Sequence, residues 1–523
     1  MTGPEVPPGN QCGAGLQTCA AEGLPDVSQG RRQQISLRPG TRFFVLMLIA
    51  SVAAACAGPD EPTTERRVDM LFAERVSPGE PGCAVGVSRG NTVLYTQGYG
   101  IANLDYDLPV TPETVFDVGS VTKQFTAASI VLLSLDGALT LDDDVRVHLP
   151  ELPDYGQPIT IRHLLHHTSG IRDYLNLMAL GGRDFYAPIS HQDIVELMAR
   201  QSTLNSMPGD RYRYSNTGYM LLATIVDRVA GRTYGEFAHE RIFEPLGMTR
   251  SFLYENAERI VHGRATGYAP DGADGYRMVH NYPFATAGDG QLYTTVGDLL
   301  RWSHALMSDA VSGPELGEVM LSPGTLANGA ALDYGTGLAL GAYRGLTTNG
   351  HGGSTWGFRA EVVRIPDEAL AVAVLCNRED LNPRGLAYGV ADLYLEDRLG
   401  PAPETDPRRR PRSGTGPPTT SVSADPVTPV DLADYVGDFY SDELDVTYHL
   451  AVDGSALGVR IGRWPRLALE LTGSDTVVGT SFPAWTGPRR VELIFTRDAR
   501  ATVTGFALSA GQARDIRFIR LRR

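Results

Sequence analysis

The sequence predicts an α+β fold: an antiparallel sheet flanked by helices, with an all-α subdomain and then a small C-terminal β-barrel or sandwich. Three observations carry that expectation. Strand-like segments lie at residues 83–98 and 359–376, with a helix-rich stretch at 120–307 between them. This order fits α+β better than alternating βαβ units. Composition turns abruptly to Pro, Arg, Thr and Ser across residues 400–429, as expected of a solvated linker. Short alternating apolar runs then resume and continue to the end of the chain.

Taken in order, residues 1–67 read as a disordered start, a secretion signal and a tether. Residues 68–399 form the main domain, 400–429 the linker and 430–523 a compact all-β unit. Arg31, Arg32, Arg38 and Arg42 precede an apolar run from Phe43 to Ala55, too short to span a bilayer of roughly 30 Å. Small residues Ala53 to Ala55, then Cys56 and a polar tether, resemble a bacterial lipoprotein signal in which Cys56 is lipidated. Ala53 stands where leucine is usual, so plain cleavage after Ala55 stays open. Either route places the protein outside the cytoplasm, in the envelope or secreted.

In the main domain, residues 68–76 read as a helix. Cys83–Ser88 and Thr92–Gly98 read as a hairpin turning at Arg89-Gly90-Asn91. Ser120–Leu135 is an apolar helix stopped by Asp136-Gly137, and Thr217–Val229 is another stopped by Gly231. Arg359–Ile365 and Leu370–Cys376 are strands joined at Pro366-Asp367. The C-terminal runs VTYHLAV, ALGVRI, LALEL, VELIF and IRFIRL carry no chemical constellation, which points to a supporting or gating role.

Hydrophobic residues make up 42% and charged residues 20% of the 523, and the formal net charge is −15. That balance argues against nucleic acid as a partner, because phosphate contacts need clustered Lys and Arg.

The chemistry sits in three segments. Ser120 and Lys123, in Ser-Val-Thr-Lys, lie one helical turn apart, so the two side chains can meet. A serine hydroxyl needs such a base, and lysine serves if burial lowers its pKa. The tetrapeptide alone is weak. Tyr214-Ser215-Asn216 adds a tyrosine able to shuttle a proton and an amide able to bind substrate or steady the lysine. His351-Gly352-Gly353-Ser354 adds glycines that let substrate approach a strand edge and a second oxyanion donor, the N–H of Ser354. His163, His166 and His167 have helical spacing, but no H-E-x-x-H pattern is present and the histidines read as capping or packing residues. Serine–lysine chemistry calls for no metal or other cofactor.

In this order the three segments resemble the serine β-lactamase and penicillin-binding-protein superfamily. The Tyr-x-Asn element is similar to the branch of class C β-lactamases, D-alanyl-D-alanine carboxypeptidases, D-aminopeptidases and esterases. Residues 163–171, 242–251 and 287–302 share the likeness, which covers about 68–395. The resemblance implies an acyl-enzyme mechanism. Ser120 attacks a carbonyl, the N–H groups of Ser120 and Ser354 hold the oxyanion, and Lys123 and Tyr214 move protons, with Tyr214 the base in deacylation. Asn216, His351, Gly353 and Ser354 are the implied substrate-binding residues. It also implies that Cys83 and Cys376 lie on neighbouring antiparallel strands, close enough for a disulfide; two buried thiols are the alternative. His351 stands where β-lactamases carry lysine, which favours peptide or ester substrates over β-lactams. A true β-lactamase and a penicillin-binding or peptidoglycan-sensing protein without turnover are the competing readings.

Overall fold

The computed structural model describes residues 62–401 and 431–522, apart from 184, 186, 273–274, 280–285, 309–312, 455, 463 and 481–489. The secretion signal, Cys56 and linker residues 402–429 lie outside the described residues.

Helix α1 (Thr64–Ala73) begins where the Thr63 hydroxyl accepts the Arg66 N–H, a few residues earlier than its apolar pattern suggests. The hairpin follows as β1 (Cys83–Arg89) and β2 (Thr92–Tyr99). Helix α2 (Lys123–Leu135) starts after a 3-10 turn at Gly119–Thr122, so the predicted helix from Ser120 divides in two. Further along the helix-rich stretch lie helices α3 (Asn216–Ala230) and α4 (Val296–Met307). The later strands are β3 (Ala339–Tyr343), β4 (Leu346–Thr355), β5 (Phe358–Ile365) and β6 (Leu370–Cys376), before helix α5 (Pro383–Tyr394).

These strands form one antiparallel sheet in the order β3-β4-β5-β6-β1-β2. The first and last segments of the domain therefore meet at its centre. Both faces of β1 are covered, and all its residues but Arg89 are buried. Val85 and Val87 pack with Phe72, Val374 and Leu386, while Ala84 belongs to the larger core with Phe125 and Trp302. Gly86 lets α4 lie close, since an added Cβ would meet Val296 and Leu300 at 3.0–3.1 Å.

Cys83 pairs with Cys376 in register, and the two sulfurs are bonded. Peptide mapping after alkylation without reductant is expected to leave both unmodified. Replacing both by serine is expected to cost about 2–5 kcal/mol, read from the urea midpoint.

The C-terminal unit is a barrel: β7 (Gly437–Ser441), β8 (Val446–Asp453), β9 (Ala456–Ile461), β10 (Leu467–Leu471), β11 (Thr476–Thr480), β12 (Arg490–Arg497), β13 (Val503–Ala510) and β14 (Ala513–Arg520). It closes where β7 pairs with β14. Phe439, Tyr448, Phe495, Phe506 and Phe518 are buried and in mutual ring contact, so aromatic packing occupies much of its core.

Candidate active site

The turn that carries Ser120 is held from three sides. The Asp117 carboxylate accepts the Gly119 N–H at 2.9 Å, and the Thr122 hydroxyl donates to Gly119 O at 2.6 Å. Gly119 has φ +50°, and an added Cβ would stand 2.9 Å from Ser354 N. On the facing strand, a Cβ on Gly353 would stand 1.9 Å from Val118 O and 3.3 Å from Ser120 N. Two glycines thus let β4 lie against the turn and bring the amides of Ser120 and Ser354 to one place. The sequence suggests that Gly353 makes room for substrate; in the structure it makes room for the nucleophile's own turn.

Lys123 is fully buried at the start of α2. Its Nζ lies 3.2 Å from Ser120 Oγ, 2.9 Å from Asn216 Oδ1 and 2.7 Å from Asp289 O. The last two can only accept, so a neutral amine gives them its two protons and turns its lone pair to Ser120. Burial pushes the lysine down to about 8, against the upward pull of Asp289 and Asp173. The same burial holds the Asp289 carboxyl above the usual carboxylate range, with Lys123 opposing and Asp173 reinforcing the rise.

Tyr214 lies beside the lysine, its ring centre 4.9 Å from Nζ. Burial raises its phenol well above the ordinary value, although a hydrogen bond with Ser120 opposes the rise. The free enzyme therefore holds Tyr214 protonated.

His351 does not reach the pocket. The Ser215 N–H donates to His167 Nδ1 at 3.1 Å, which puts the His167 proton on Nε2, 3.2 Å from the Tyr334 hydroxyl. Tyr334 in turn donates to His351 Nε2 at 3.1 Å, and His351 Nδ1–H donates to Gly352 O at 2.6 Å. Both ring nitrogens are used, and burial with the nearby Lys123 pushes His351 down to about 4. It is a neutral tie between the Tyr-Ser-Asn segment and β4, where the sequence suggests a substrate contact. His166 meets the Thr336 hydroxyl at 3.3 Å, and His163 shares a capping box with Thr160. All three histidines of the 163–167 segment are thereby engaged in the fold.

An open-mouthed pocket lies over Ser120. Asn216, Tyr174, Leu175, Asp289, Ser354 and Trp356 are among its walls; His351, Gly353 and Tyr214 are not. Sequence reasoning missed Asp173 and Asp289. Asp173 accepts the Asn216 N–H at 2.9 Å, and Tyr174 approaches the Asp289 carboxylate at 3.5 Å. The one available signal for Asp289 was its place in the Gly-rich segment 287–302, where an aspartate reads as a turn residue.

The profile described as Beta-lactamase matches residues 68–395. Penicillin-binding protein 4* of Bacillus subtilis (strain 168) is 32% identical over 309 residues, which span 56% of this chain and 67% of that protein. A D-aminopeptidase of Brucella anthropi is 27% identical over 506 residues, covering 84% of this chain and 95% of the relative. The solved octameric penicillin-binding protein homologue from Pyrococcus abyssi superposes with a TM-score of 0.56 at 26% identity, covering 87% of this chain and 99% of that one.

Proposed function

Because the chain belongs to the beta-lactamase family and is a serine hydrolase, we propose that it cleaves small amides or peptides with a free amino end, in the manner of an aminopeptidase. One observation carries this reading: Asp289 is the only ionisable acid or base among the described pocket walls apart from Tyr174. A carboxylate held above its usual range by burial gains most from an arriving ammonium. A substrate carboxylate finds no cation on those walls, and His351 is neutral. The relative named a D-aminopeptidase, aligned over most of both chains, supplies the stereochemical part of the reading.

In this mechanism Lys123 takes the Ser120 proton as Oγ attacks the carbonyl carbon. The amides of Ser120 and Ser354 stabilise the oxyanion. Tyr214, held protonated, delivers a proton to the departing amine and is reprotonated through Lys123. Water then attacks the acyl-enzyme, and Lys123, 3.2 Å from Ser120 Oγ, accepts its proton.

The test compares D-alanine p-nitroanilide, its N-acetyl form and nitrocefin. The free amine is expected to be preferred over the acetylated form by about 10- to 100-fold in kcat/KM, the worth of a charged hydrogen bond. Asp289→Asn keeps the carbonyl that binds Lys123 and is expected to remove that preference. Equal turnover of the acetylated substrate, or nitrocefin as the best substrate, overturns the reading.

A further inference from the structure

The barrel is seated on the segment that builds one wall of the site. Arg172 is fully buried, and its guanidinium meets Glu443 Oε1 at 2.8 Å, Gln201 Oε1 at 2.9 Å, Thr203 Oγ1 at 2.7 Å and Asp515 O at 3.2 Å. Glu443 belongs to the turn between β7 and β8. Its Oε1 also accepts the Ser202 N–H and hydroxyl, at 2.9 and 2.7 Å, and its Oε2 accepts the Arg517 N–H at 3.0 Å. One buried carboxylate therefore ties two parts of the barrel to Arg172 and Ser202. A second tie lies beside it. Gln512 O, in the turn between β13 and β14, accepts the Asp173 N–H at 3.1 Å and the Asn205 amide at 2.9 Å. The Asn205 side chain accepts the Arg514 N–H in return, at 3.1 Å.

The opposite side of residues 172–174 faces the catalytic groups. Thr217 Oγ1 donates to Arg172 O at 2.8 Å and accepts the Tyr174 N–H at 2.6 Å. Asp173 accepts the Asn216 backbone N–H, and Asn216 Oδ1 accepts from Lys123. Tyr174 lines the pocket. The path from Glu443 to the lysine is continuous: Glu443, Arg172, Asp173, Asn216, Lys123. Every link is a hydrogen bond, an ion pair or a shared backbone.

We propose that the C-terminal barrel is a working part of the active site, with Glu443 a positioning residue that fixes residues 172–174 and through them the Asn216–Lys123 pair. The buried ion pair sets where Asp173 sits, Asp173 sets the start of α3, and the start of α3 sets the direction of the lysine's lone pair. Small displacements at such a site cost rate far out of proportion to their size.

Fluorophosphonate labelling of Ser120 tests this without reference to the natural substrate, so its outcome is separate from that of the aminopeptidase reading. The full chain is used, below its melting temperature, across a pH series. Glu443→Ala is expected to be labelled about 10- to 100-fold more slowly than wild type. Burial is the main cause of the low Lys123 value, so loosening that wall admits water and moves the pH midpoint of labelling upward. Glu443→Gln, which keeps an acceptor for Arg172 and Ser202, is expected to recover part of the rate. His449→Ala, a barrel variant at an exposed pair with Asp438, sets the baseline and is expected to match wild type. Should Glu443→Ala fail to fold, Asn205→Ala loosens the second tie and is expected to shift rate and midpoint in the same direction, by less. A folded Glu443→Ala, or in its place Asn205→Ala, that melts earlier yet keeps the wild-type rate and midpoint overturns the proposal and leaves the barrel a stabilising appendage.

Discussion

Replacing Lys123 by methionine is expected to slow acylation of Ser120 by about 10²- to 10⁴-fold, the range for loss of a positioned general base. The fold is expected to survive. The folded-state pKa of Lys123, about 8, lies below the ordinary lysine value of 10.5. Between those values the unfolded chain binds the extra proton, so in the wild type stability rises with pH across that window, and below it the full cost of burying the charge is present. Methionine removes that cost, and Asp289, deprived of its cation, protonates more readily. The melting temperature at pH 7 is therefore expected to hold or rise while labelling collapses. Activity has its own signature. The working form is the neutral amine, so the wild-type labelling rate should climb with pH through about 8 and flatten above. That limb should vanish in Lys123→Met. A variant that keeps both rate and limb would move the base to another residue.

What the sequence made legible follows from the range of each interaction. Ser120 and Lys123 are three residues apart, and Tyr214 and Asn216 two, so local pattern locates them. The Cys83–Cys376 bond was within reach because two strand patterns and a family likeness placed opposite strand ends together. Asp289, Asp173 and Tyr334 were not legible. Each takes its meaning from a partner far along the chain: Lys123 lies 166 residues from Asp289, and Tyr334 stands 167 residues from His167. His351 shows the same limit from the other side. Its motif position suggested a substrate contact, but its neighbours Tyr334 and Gly352 consume both nitrogens. Gly119, at the start of the 3-10 turn before α2, lies against Ser354 of a distant strand, a contact that helix periodicity cannot report. Barrel or sandwich was undecidable for a related reason. Closure rests on Phe439 and Tyr440 pairing with Arg520 and Ile519, the two ends of the unit.

The interlock between Gly119 and Gly353 gives the other large expected effect. Gly353→Ala places a methyl group 1.9 Å from Val118 O, a contact with backbone that no rotamer change relieves. Strand β4 must retreat from the turn or the turn must deform, and either movement separates the amides of Ser120 and Ser354. Loss of one aligned oxyanion donor costs about 10²- to 10³-fold in kcat, and the overpacking about 1–3 kcal/mol in stability. Gly352→Ala is the matched comparison on the other face of the strand. Its added Cβ would meet the Glu361 carboxylate oxygen at 2.7 Å, the far end of a side chain that can turn aside. Gly352→Ala is therefore expected to lose some stability and keep most of its turnover. Gly353→Ala is expected to lose turnover far beyond its loss of stability. Steady-state kinetics and urea unfolding of the two variants separate these outcomes. Equal losses of kcat in both would mean that β4 acts only as a sheet strand and that the second oxyanion donor lies elsewhere.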